Sequence, residues 1–125
     1  MSNLDVWCLA IAQNEPRTLY LGAPYSSDFQ GVFKTTDAGQ PWTRSGAPGR
    51  ILFVTIDPKD SRTVYAGITF DGKIVKTTGG GANWSERAGL SITALAIDPR
   101  DPQRIYAGLD KFSVWLSDDG ARSWH

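Results

Sequence analysis

A short pattern that ends in tryptophan occurs three times in this chain of 125 residues. The copies are TTDAGQPW at 35–42, TTGGGANW at 77–84 and SDDGARSW at 117–124. Their tryptophans lie 42 and then 40 residues apart. A period of this length indicates one supersecondary unit used repeatedly, each copy burying a face against its neighbour. The specific function of such a chain is expected in the loops that differ between copies.

A second repeat precedes each copy of the tryptophan pattern. The segments IDPKDSRTVYAGI at 56–68 and IDPRDPQRIYAGL at 97–109 match at seven of thirteen positions. A weaker copy, IAQNEPRTLYLG, occupies 11–22. Together the two repeats divide the chain into three units, the third with a truncated last strand. We place these units at residues 1–45, 46–88 and 89–125.

Each unit contains four short runs of β-branched and aromatic residues, separated by turn-forming residues. In the second unit these runs are LFVTI, TVYAGI, KIVKT and NWSER. No window shows helical spacing of apolar residues, and the Asp-Pro pairs at 57–58 and 98–99 predict sharp turns. The recurring Tyr20, Tyr65 and Tyr106 are predicted to be packing residues. The sequence therefore predicts an all-β fold of three four-stranded antiparallel sheets.

The tryptophan pattern resembles the Asp-box, or BNR repeat, of β-propeller proteins: Ser or Thr, any residue, Asp, any residue, Gly, two further residues and Trp. The first copy matches fully, whereas Gly79 replaces the acid in the second and Ala121 replaces the glycine in the third. The resemblance implies three propeller blades, similar to those of Ycf48-type photosystem II assembly factors, sortilin-like receptors and BNR glycosidases. The matching residues are Thr35, Asp37, Gly39, Trp42, Thr77, Gly81, Trp84, Ser117, Asp119 and Trp124.

The box spacing suits a tight hairpin with a structural role. The carboxylates of Asp37 and Asp119 are expected to accept backbone N–H groups of their turns. A glycine two residues later permits positive φ, and the tryptophan covers the hairpin. The second turn should lose this side-chain acceptor at Gly79, and Ala121 should be strained unless Gly120 takes the left-handed conformation. We expect both of these turns to be looser than the first.

The variable loops are the predicted binding surface. In a four-stranded blade, the repeated turns share one rim, and the remaining loops form the opposite rim. The first of these loops, APYSSDFQ, is three residues longer than its counterpart in the second unit, and its aromatic and acidic residues suit a carbohydrate or peptide ligand. A solvated insertion is the alternative interpretation. The candidate binding residues are Tyr25, Asp28, Phe29, Arg50, Asp71, Arg87 and Asp110.

Composition and charge exclude several classes of function. Thirteen basic residues balance thirteen acidic ones, so no net field attracts nucleic acid, and no apolar run reaches the roughly 20 residues needed to span a bilayer. With Cys8 and His125 as the only residues of their types, and no compact acidic loop, we expect neither a metal nor a cofactor. The apolar stretch 6–12 lacks preceding basic residues, so it is interpreted as a first strand in a cytoplasmic protein.

Three blades leave two open faces, because propellers typically close with about four to eight blades. We expect these faces to be covered by the remaining blades of a longer chain or by self-association into a ring. The leading hypothesis is a non-catalytic scaffold or protein-interaction module, with no catalytic residue assigned. A fragment of a sialidase- or xyloglucanase-like glycoside hydrolase, which requires paired acids, and a purely structural segment remain open alternatives.

Overall fold

The computed structural model describes residues 8–23, 31–46, 50–68, 73–89, 92–109 and 113–125. These ranges contain eleven strands and no helix. The strands are β1 (Cys8–Ile11), β2 (Leu19–Ala23), β3 (Gly31–Thr35), β4 (Thr43–Arg44), β5 (Ile51–Ile56), β6 (Val64–Ile68), β7 (Lys73–Thr77), β8 (Ser85–Gly89), β9 (Ile92–Ile97), β10 (Ile105–Leu109) and β11 (Ser113–Ser117).

The strands form three antiparallel sheets in which neighbours along the chain are also neighbours in the sheet. The first sheet has the order β1-β2-β3-β4, the second β5-β6-β7-β8 and the third β9-β10-β11. Beyond β11, His125 exchanges two backbone hydrogen bonds of 2.8 and 2.9 Å with Leu116. The first residues of β4 and β8 make the corresponding pairs with β3 and β7, so His125 occupies the position at which a fourth strand begins. The predicted all-β fold with antiparallel sheets is confirmed.

The second sheet lies between the other two, and its burial shows this. Every residue of β6, sequence VYAGI, is buried, although successive side chains in a strand point to opposite faces. A strand covered on both faces requires apolar residues at consecutive positions, which this segment supplies. In the third sheet, by contrast, β9 leaves Ala94 and Ala96 exposed.

Two apolar clusters fill the boundaries between the sheets. The cluster between the first and second sheets is joined by Trp84, and the cluster between the second and third by Trp124. A smaller cluster of Leu21, Ala23 and Phe33 lies on the far side of the first sheet, beneath Trp42. The buried residues of the first boundary are Tyr20, Val32, Ile51, Val54, Val64, Ala66, Ile68 and Val75. Those of the second are Tyr65, Ile74, Ile92, Ile105, Ala107 and Ala121.

The repeated tyrosines connect each sheet to the next. Tyr20 donates a hydrogen bond of 3.2 Å to the Ser61 carbonyl, and Tyr65 donates one of 3.3 Å to the Gly120 carbonyl. Both tyrosines are almost completely buried, as predicted for packing residues, and burial raises the pKa of each to about 12. The equivalent Tyr106 is 41% exposed because no sheet of the described structure covers its face.

A lysine paired with each buried tyrosine reinforces the same boundary. Lys34 lies opposite the tyrosine of β2 and Lys76 opposite the tyrosine of β6, with the ammonium groups 5.5 and 5.1 Å from the ring centroids. Each ammonium also donates to a carbonyl of the next sheet, Gly80 at 3.2 Å and Gly120 at 3.1 Å. Leu116 occupies the corresponding position in the third sheet. Sequence reasoning missed these lysines, although both precede a box directly.

The two outward faces of the assembly expose large apolar side chains. On the first sheet, Leu9 is 60% and Ile11 54% exposed. On the third sheet, Val114 is 70% exposed beside Tyr106. These faces are the counterparts of the surfaces that are buried between the sheets.

Candidate functional site

The boxes form three tight turns that are held by a buried hydroxyl group. The first residue of each box, Thr35, Thr77 or Ser117, accepts backbone N–H groups from residues two and four positions later, at distances between 3.0 and 3.4 Å. All three of these residues are buried. The second turn lacks a carboxylate acceptor because Gly79 replaces the acid, but the Thr77 hydroxyl still accepts two of its N–H groups.

Each turn contains two successive residues with positive φ. In the third turn Gly120 has a φ of 69° and Ala121 a φ of 74°. The expectation that Gly120 takes the left-handed conformation in place of Ala121 is therefore wrong. A left-handed alanine costs about 1–2 kcal/mol relative to glycine, so this turn carries local strain. The other two pairs are Ala38 with Gly39 and Gly80 with Gly81.

The box acids have unequal roles. Asp119 accepts backbone N–H groups from Arg122 at 3.1 Å and Ser123 at 2.9 Å, together with the hydroxyls of Ser123 at 2.6 Å and Ser117 at 2.8 Å. These bonds, the Ser123 hydroxyl foremost, hold the pKa of Asp119 well below its usual range. Asp37 instead pairs with the guanidinium of Arg17. Among the described boxes, the expected backbone role of the acid is thus found at Asp119 and not at Asp37.

The loops between the first two strands of each sheet lie beside the boxes. The first positive-φ residue of each box donates its N–H group to a carbonyl of the adjacent loop, at 2.9 to 3.0 Å. In the second and third sheets these loops are held by acids: Asp57 and Asp98 accept N–H groups two residues later at 2.8 and 2.9 Å. We call the boxes and these loops together the box rim. The predicted placement of both kinds of turn on one rim agrees with these contacts.

Side chains also connect the box-rim loops of neighbouring sheets. The Asn14 amide donates to the Lys59 carbonyl at 3.3 Å, and the Lys59 ammonium donates to the Arg100 carbonyl at 3.0 Å. The three residues occupy one repeat position, so the same bond is formed twice along the rim. A hydroxyl–carboxylate bond of 2.8 Å from Ser61 to Glu15 supports the first boundary. The box rim of the second and third sheets is therefore occupied by structural contacts.

The three box tryptophans have different hydrogen-bond environments. Trp84 donates its indole N–H to the Ser45 carbonyl of the preceding sheet at 2.9 Å. The indole N–H of Trp124 is buried and has no partner. Trp42 lines an open groove of about 840 Å³ together with Asp37, Gly39, Gln40 and Pro41. All three tryptophans are partly buried. The tryptophans of the second and third boxes also pack against the apolar cluster at a boundary between sheets.

Most candidate binding residues fall outside the described ranges. Arg50 lies exposed directly before β5. Arg87 lies within β8, where Ile74 pairs with Ala88 and Val75 with Glu86, so Arg87 is an extra residue in a bulge. Its Nε atom is buried and lacks an acceptor. The candidates outside the described residues are Tyr25, Asp28, Phe29, Asp71 and Asp110.

Titratable groups in the described ranges form no metal site. No three His, Cys, Asp or Glu side chains of these ranges are grouped so that they could hold an ion. Burial raises the pKa of the Cys8 thiol to about 11, so the thiolate nucleophile is disfavoured at neutral pH. Within the same ranges, no helix has the length and apolar character needed to cross a membrane.

Comparison with known proteins places this arrangement among β-propellers. No protein-family model matches the chain. It is 32% identical over 88 residues to a probable oligoxyloglucan-reducing end-specific xyloglucanase of Neosartorya fischeri, an alignment that covers 65% of this chain and 10% of the relative. The GH74 xyloglucanase from Xanthomonas campestris superposes with a TM-score of 0.78 at 21% identity, over 96% of this chain and 23% of that protein.

A YCF48 structure bound to a D1 peptide superposes with a TM-score of 0.74 at 14% identity, over 98% of this chain and 40% of that chain. The identities of the two solved structures are low, so these likenesses establish the fold. The three sheets have a β-propeller fold. The chain spans about a tenth of the length of the curated relative and less than half of either solved structure.

Proposed function

We propose that this chain is a non-catalytic segment of a β-propeller that serves as a scaffold or protein-interaction module. The observation that carries the proposal is the use of acids on the box rim. Asp57, Asp98 and Asp119 all accept backbone N–H groups of their own turns. Acids held in this way stabilise hairpins and are poorly placed to act as general acid or base on a ligand.

The rim opposite the box rim, to which the sequence analysis assigns the variable loops, is the proposed ligand surface. Loops on a rigid sheet scaffold vary without disturbing the fold, and binding residues are therefore concentrated there. The sequence predicts that the candidates Tyr25, Asp28 and Phe29 belong to the longest of these loops, and their side chains suit a polypeptide that offers apolar and basic side chains. The YCF48 structure with its D1 peptide supports a peptide ligand by analogy of fold alone.

The open faces are the proposed contacts with further blades. Leu9 and Val114 expose more than half of their surface on opposite ends of the stack. We propose that the remaining blades of a longer chain, or alternatively a second copy, cover these faces. In either case the exposed side chains become buried as Tyr20 and Tyr65 already are.

A xyloglucan-cleaving glycoside hydrolase is the second candidate function. It is favoured by the 32% identity to a probable xyloglucanase. Hydrolysis requires two carboxyl groups facing one sugar, about 5–5.5 Å apart in retaining enzymes and about 6.5–9.5 Å apart in inverting ones. Asp28 and Asp71, from the variable loops of two different blades, are the acids that would be tested for this role.

One experiment separates the two functions. The chain is incubated with xyloglucan oligosaccharides, and reducing ends are measured together with binding by calorimetry. The proposal of a non-catalytic module expects no release of reducing ends. Release that falls at least tenfold in Asp28→Asn or Asp71→Asn would establish the hydrolase and refute the scaffold.

The particle mass from light scattering is measured on the same samples. A monomer supports blades supplied by a longer chain, and a dimer supports closure by a second copy. A dimer that persists after Val114→Glu and Leu9→Glu would show that the open apolar faces are not the contact.

A further inference from the structure

The groove at the first box is open at a place where the second box is filled. Gly39 and Trp42 line this groove of about 840 Å³. The position of Trp42 is fixed, because its ring packs against the apolar cluster of the first sheet. No described residue accepts a hydrogen bond from the indole N–H of Trp42, and this group is accessible to solvent, unlike that of Trp124.

The second box shows what occupies such a groove. Trp84 donates its indole N–H to the carbonyl of Ser45 at 2.9 Å. Ser45 directly follows β4, the outer strand of the first sheet, and its own N–H donates to the Val32 carbonyl at 2.8 Å. The occupant of the second box is therefore the end of an extended strand, which presents a backbone carbonyl to the tryptophan.

A glycine in the box makes room for this strand. A Cβ atom on Gly81 would lie 2.7 Å from the Cβ atom and 3.1 Å from the Oγ atom of Ser45, closer than non-bonded atoms normally approach. The serine side chain thus faces Gly81, and only a small side chain fits there. Gly39 holds the same position in the first box, and a Cβ atom on it would meet no atom of the described residues within 4 Å. The space that Ser45 fills above Gly81 is therefore open above Gly39.

Of the three described boxes, the first alone combines an open glycine with an accessible indole. In the second box both groups are covered by Ser45. In the third box Ala121 replaces the glycine and is completely buried, and the indole N–H of Trp124 is buried as well. The first box is thus the one at which a segment from another molecule can make the contact that Ser45 makes.

We propose that the groove of the first box binds an extended segment of a partner polypeptide that carries a small residue. The small side chain lies above Gly39, and the carbonyl of the same residue accepts the Trp42 indole N–H. An aromatic ring beside polar groups also suits a sugar, but the contact at Ser45 favours a polypeptide. The groove belongs to the box rim, so it adds a second surface to the proposed interaction module, and the result at either rim leaves the other untouched.

The test is a titration of the intact ¹⁵N-labelled chain with the peptide TRSGAP, acetylated and amidated at its ends, which has the sequence of residues 43–48. The indole signal of Trp42 should move with saturation, because this N–H gains an acceptor. The indole signal of Trp84 should stay fixed, because Ser45 already fills its box. The two signals are assigned with Trp42→Phe and Trp84→Phe. The same peptide with leucine in place of serine should bind about tenfold more weakly or less, since leucine is too large for the space above the glycine.

Two variants of the chain examine the space and the donor separately. Gly39→Ala places a methyl group in the space for the small residue and should weaken binding of TRSGAP about tenfold or more. Gly46→Ala is the matched control, because both glycines have positive φ, 115° and 84°, and open space at Cβ, while Gly46 does not line the groove. It should leave binding unchanged. Trp42→Phe keeps the aromatic wall but removes the donor, and binding followed at the Gly39 amide signal should weaken about fivefold, as for one hydrogen bond.

Several outcomes would overturn the proposal. A Trp42 signal that does not respond to TRSGAP excludes the strand contact. Equal binding of the leucine peptide shows that the space above Gly39 is not used, and this comparison holds on the unchanged chain even where Gly39→Ala does not fold. Saturation by xyloglucan oligosaccharides at lower concentration than by the peptide identifies a carbohydrate site. A Trp42 signal that changes on dilution of the chain alone shows that a second copy covers the groove.

Discussion

The hydroxyl group of Tyr20 donates a hydrogen bond to the carbonyl of Ser61 in the next sheet, at 3.2 Å. Tyr65 repeats this contact with the third sheet, although its acceptor is Gly120 in a box and not a residue of the preceding loop. The tyrosine contact is thus repeated at both boundaries between sheets, although the accepting carbonyl differs. The apolar packing around each ring determines where the hydroxyl lies, and a backbone carbonyl of the next sheet within reach becomes the partner.

The tyrosine contacts predict a position-dependent effect of removing the hydroxyl. Tyr20→Phe and Tyr65→Phe should each lower the free energy of unfolding by about 1 kcal/mol, because each variant loses one buried hydrogen bond. Tyr106→Phe is the matched control and should leave stability unchanged, since Tyr106 is 41% exposed. Urea unfolding followed by fluorescence measures all three. Equal losses in the three variants would contradict the assigned contacts.

Alkaline unfolding provides a second prediction from the same residues. Burial raises the pKa of Tyr20 and Tyr65 from 10.0 to about 12, so the unfolded chain loses these protons first. Their contribution to stability is complete below pH 10 and is lost as the pH rises towards about 12. The melting temperature should therefore fall less steeply between about pH 8 and pH 11 in Tyr20→Phe than in the parent chain. A parallel decline in both proteins would show that Tyr20 has no raised pKa.

The hydrogen bonds of the box hydroxyl predict that the threonine stabilises the turn more than the acid does. Thr77→Val keeps the shape of the side chain but removes the acceptor of the Gly79 and Gly81 N–H groups. We expect a loss of about 1–3 kcal/mol, because two backbone donors at a buried site lose their partner. Thr77→Ser retains the hydroxyl and should lose less than half as much. Chemical denaturation compares the two, and equal losses would mean that methyl packing, not the hydroxyl, stabilises the turn.

The different hydrogen bonding of Trp84 and Trp124 predicts that replacing each by phenylalanine destabilises the protein to a different extent. Trp84→Phe removes a hydrogen bond to Ser45 and should cost about 1 kcal/mol in addition to the loss of packing area. Trp124→Phe removes a buried donor that has no partner, so its cost should be smaller by a similar amount. The difference between the two variants in urea unfolding is the measured quantity. If Trp124→Phe proved the more costly, the indole N–H of Trp124 would have to have a hydrogen-bond partner.

Much of the fold could be predicted from the sequence because the repeat is present in the residues themselves. The period of the tryptophan pattern and the runs of β-branched residues determine the number and antiparallel order of the strands. The internal packing of Tyr20 and Tyr65 follows from their recurrence. Tyr106 was predicted to pack in the same way, but it is 41% exposed because no sheet of the described structure covers it. Sequence reasoning could not predict which carbonyl each hydroxyl meets, since that depends on the separation of two sheets.

The turn chemistry was predicted less well. The acid is the most prominent polar residue of the box pattern, and its predicted backbone contacts are found at Asp119 but not at Asp37. The hydroxyls of Thr35, Thr77 and Ser117 accept backbone N–H groups in all three copies, which sequence reasoning missed. A hydroxyl close to its own backbone reaches two N–H groups within one turn, whereas the carboxylate two residues later in the turn has several competing partners. The bulge at Arg87 likewise has no signal in the sequence.

Asp119 predicts an acid-dependent loss of stability that the other boxes lack. Its pKa is held below the usual 3.8 by the Ser123 hydroxyl, the Ser123 N–H and further donors of the turn. A depressed pKa in the folded state means that the ionised carboxylate contributes stability above pH 3.8 and loses it as the pH falls below that value. Asp119→Asn should therefore be less stable than the parent near pH 7, and the difference should shrink towards about pH 2.

Thermal melts of both proteins across this pH range measure the difference, with Asp118→Asn as the neighbouring control. Asp118 pairs with Arg104 at 3.1 Å on the exposed surface, so its removal should change stability little at any pH. Because the Asp119 bonds are to neutral donors, the effect should also persist at high salt, where an exposed ion pair is screened. A difference that vanished in about 1 M salt would identify Arg122 or another cation as the partner, and it would contradict the hydrogen-bonded turn.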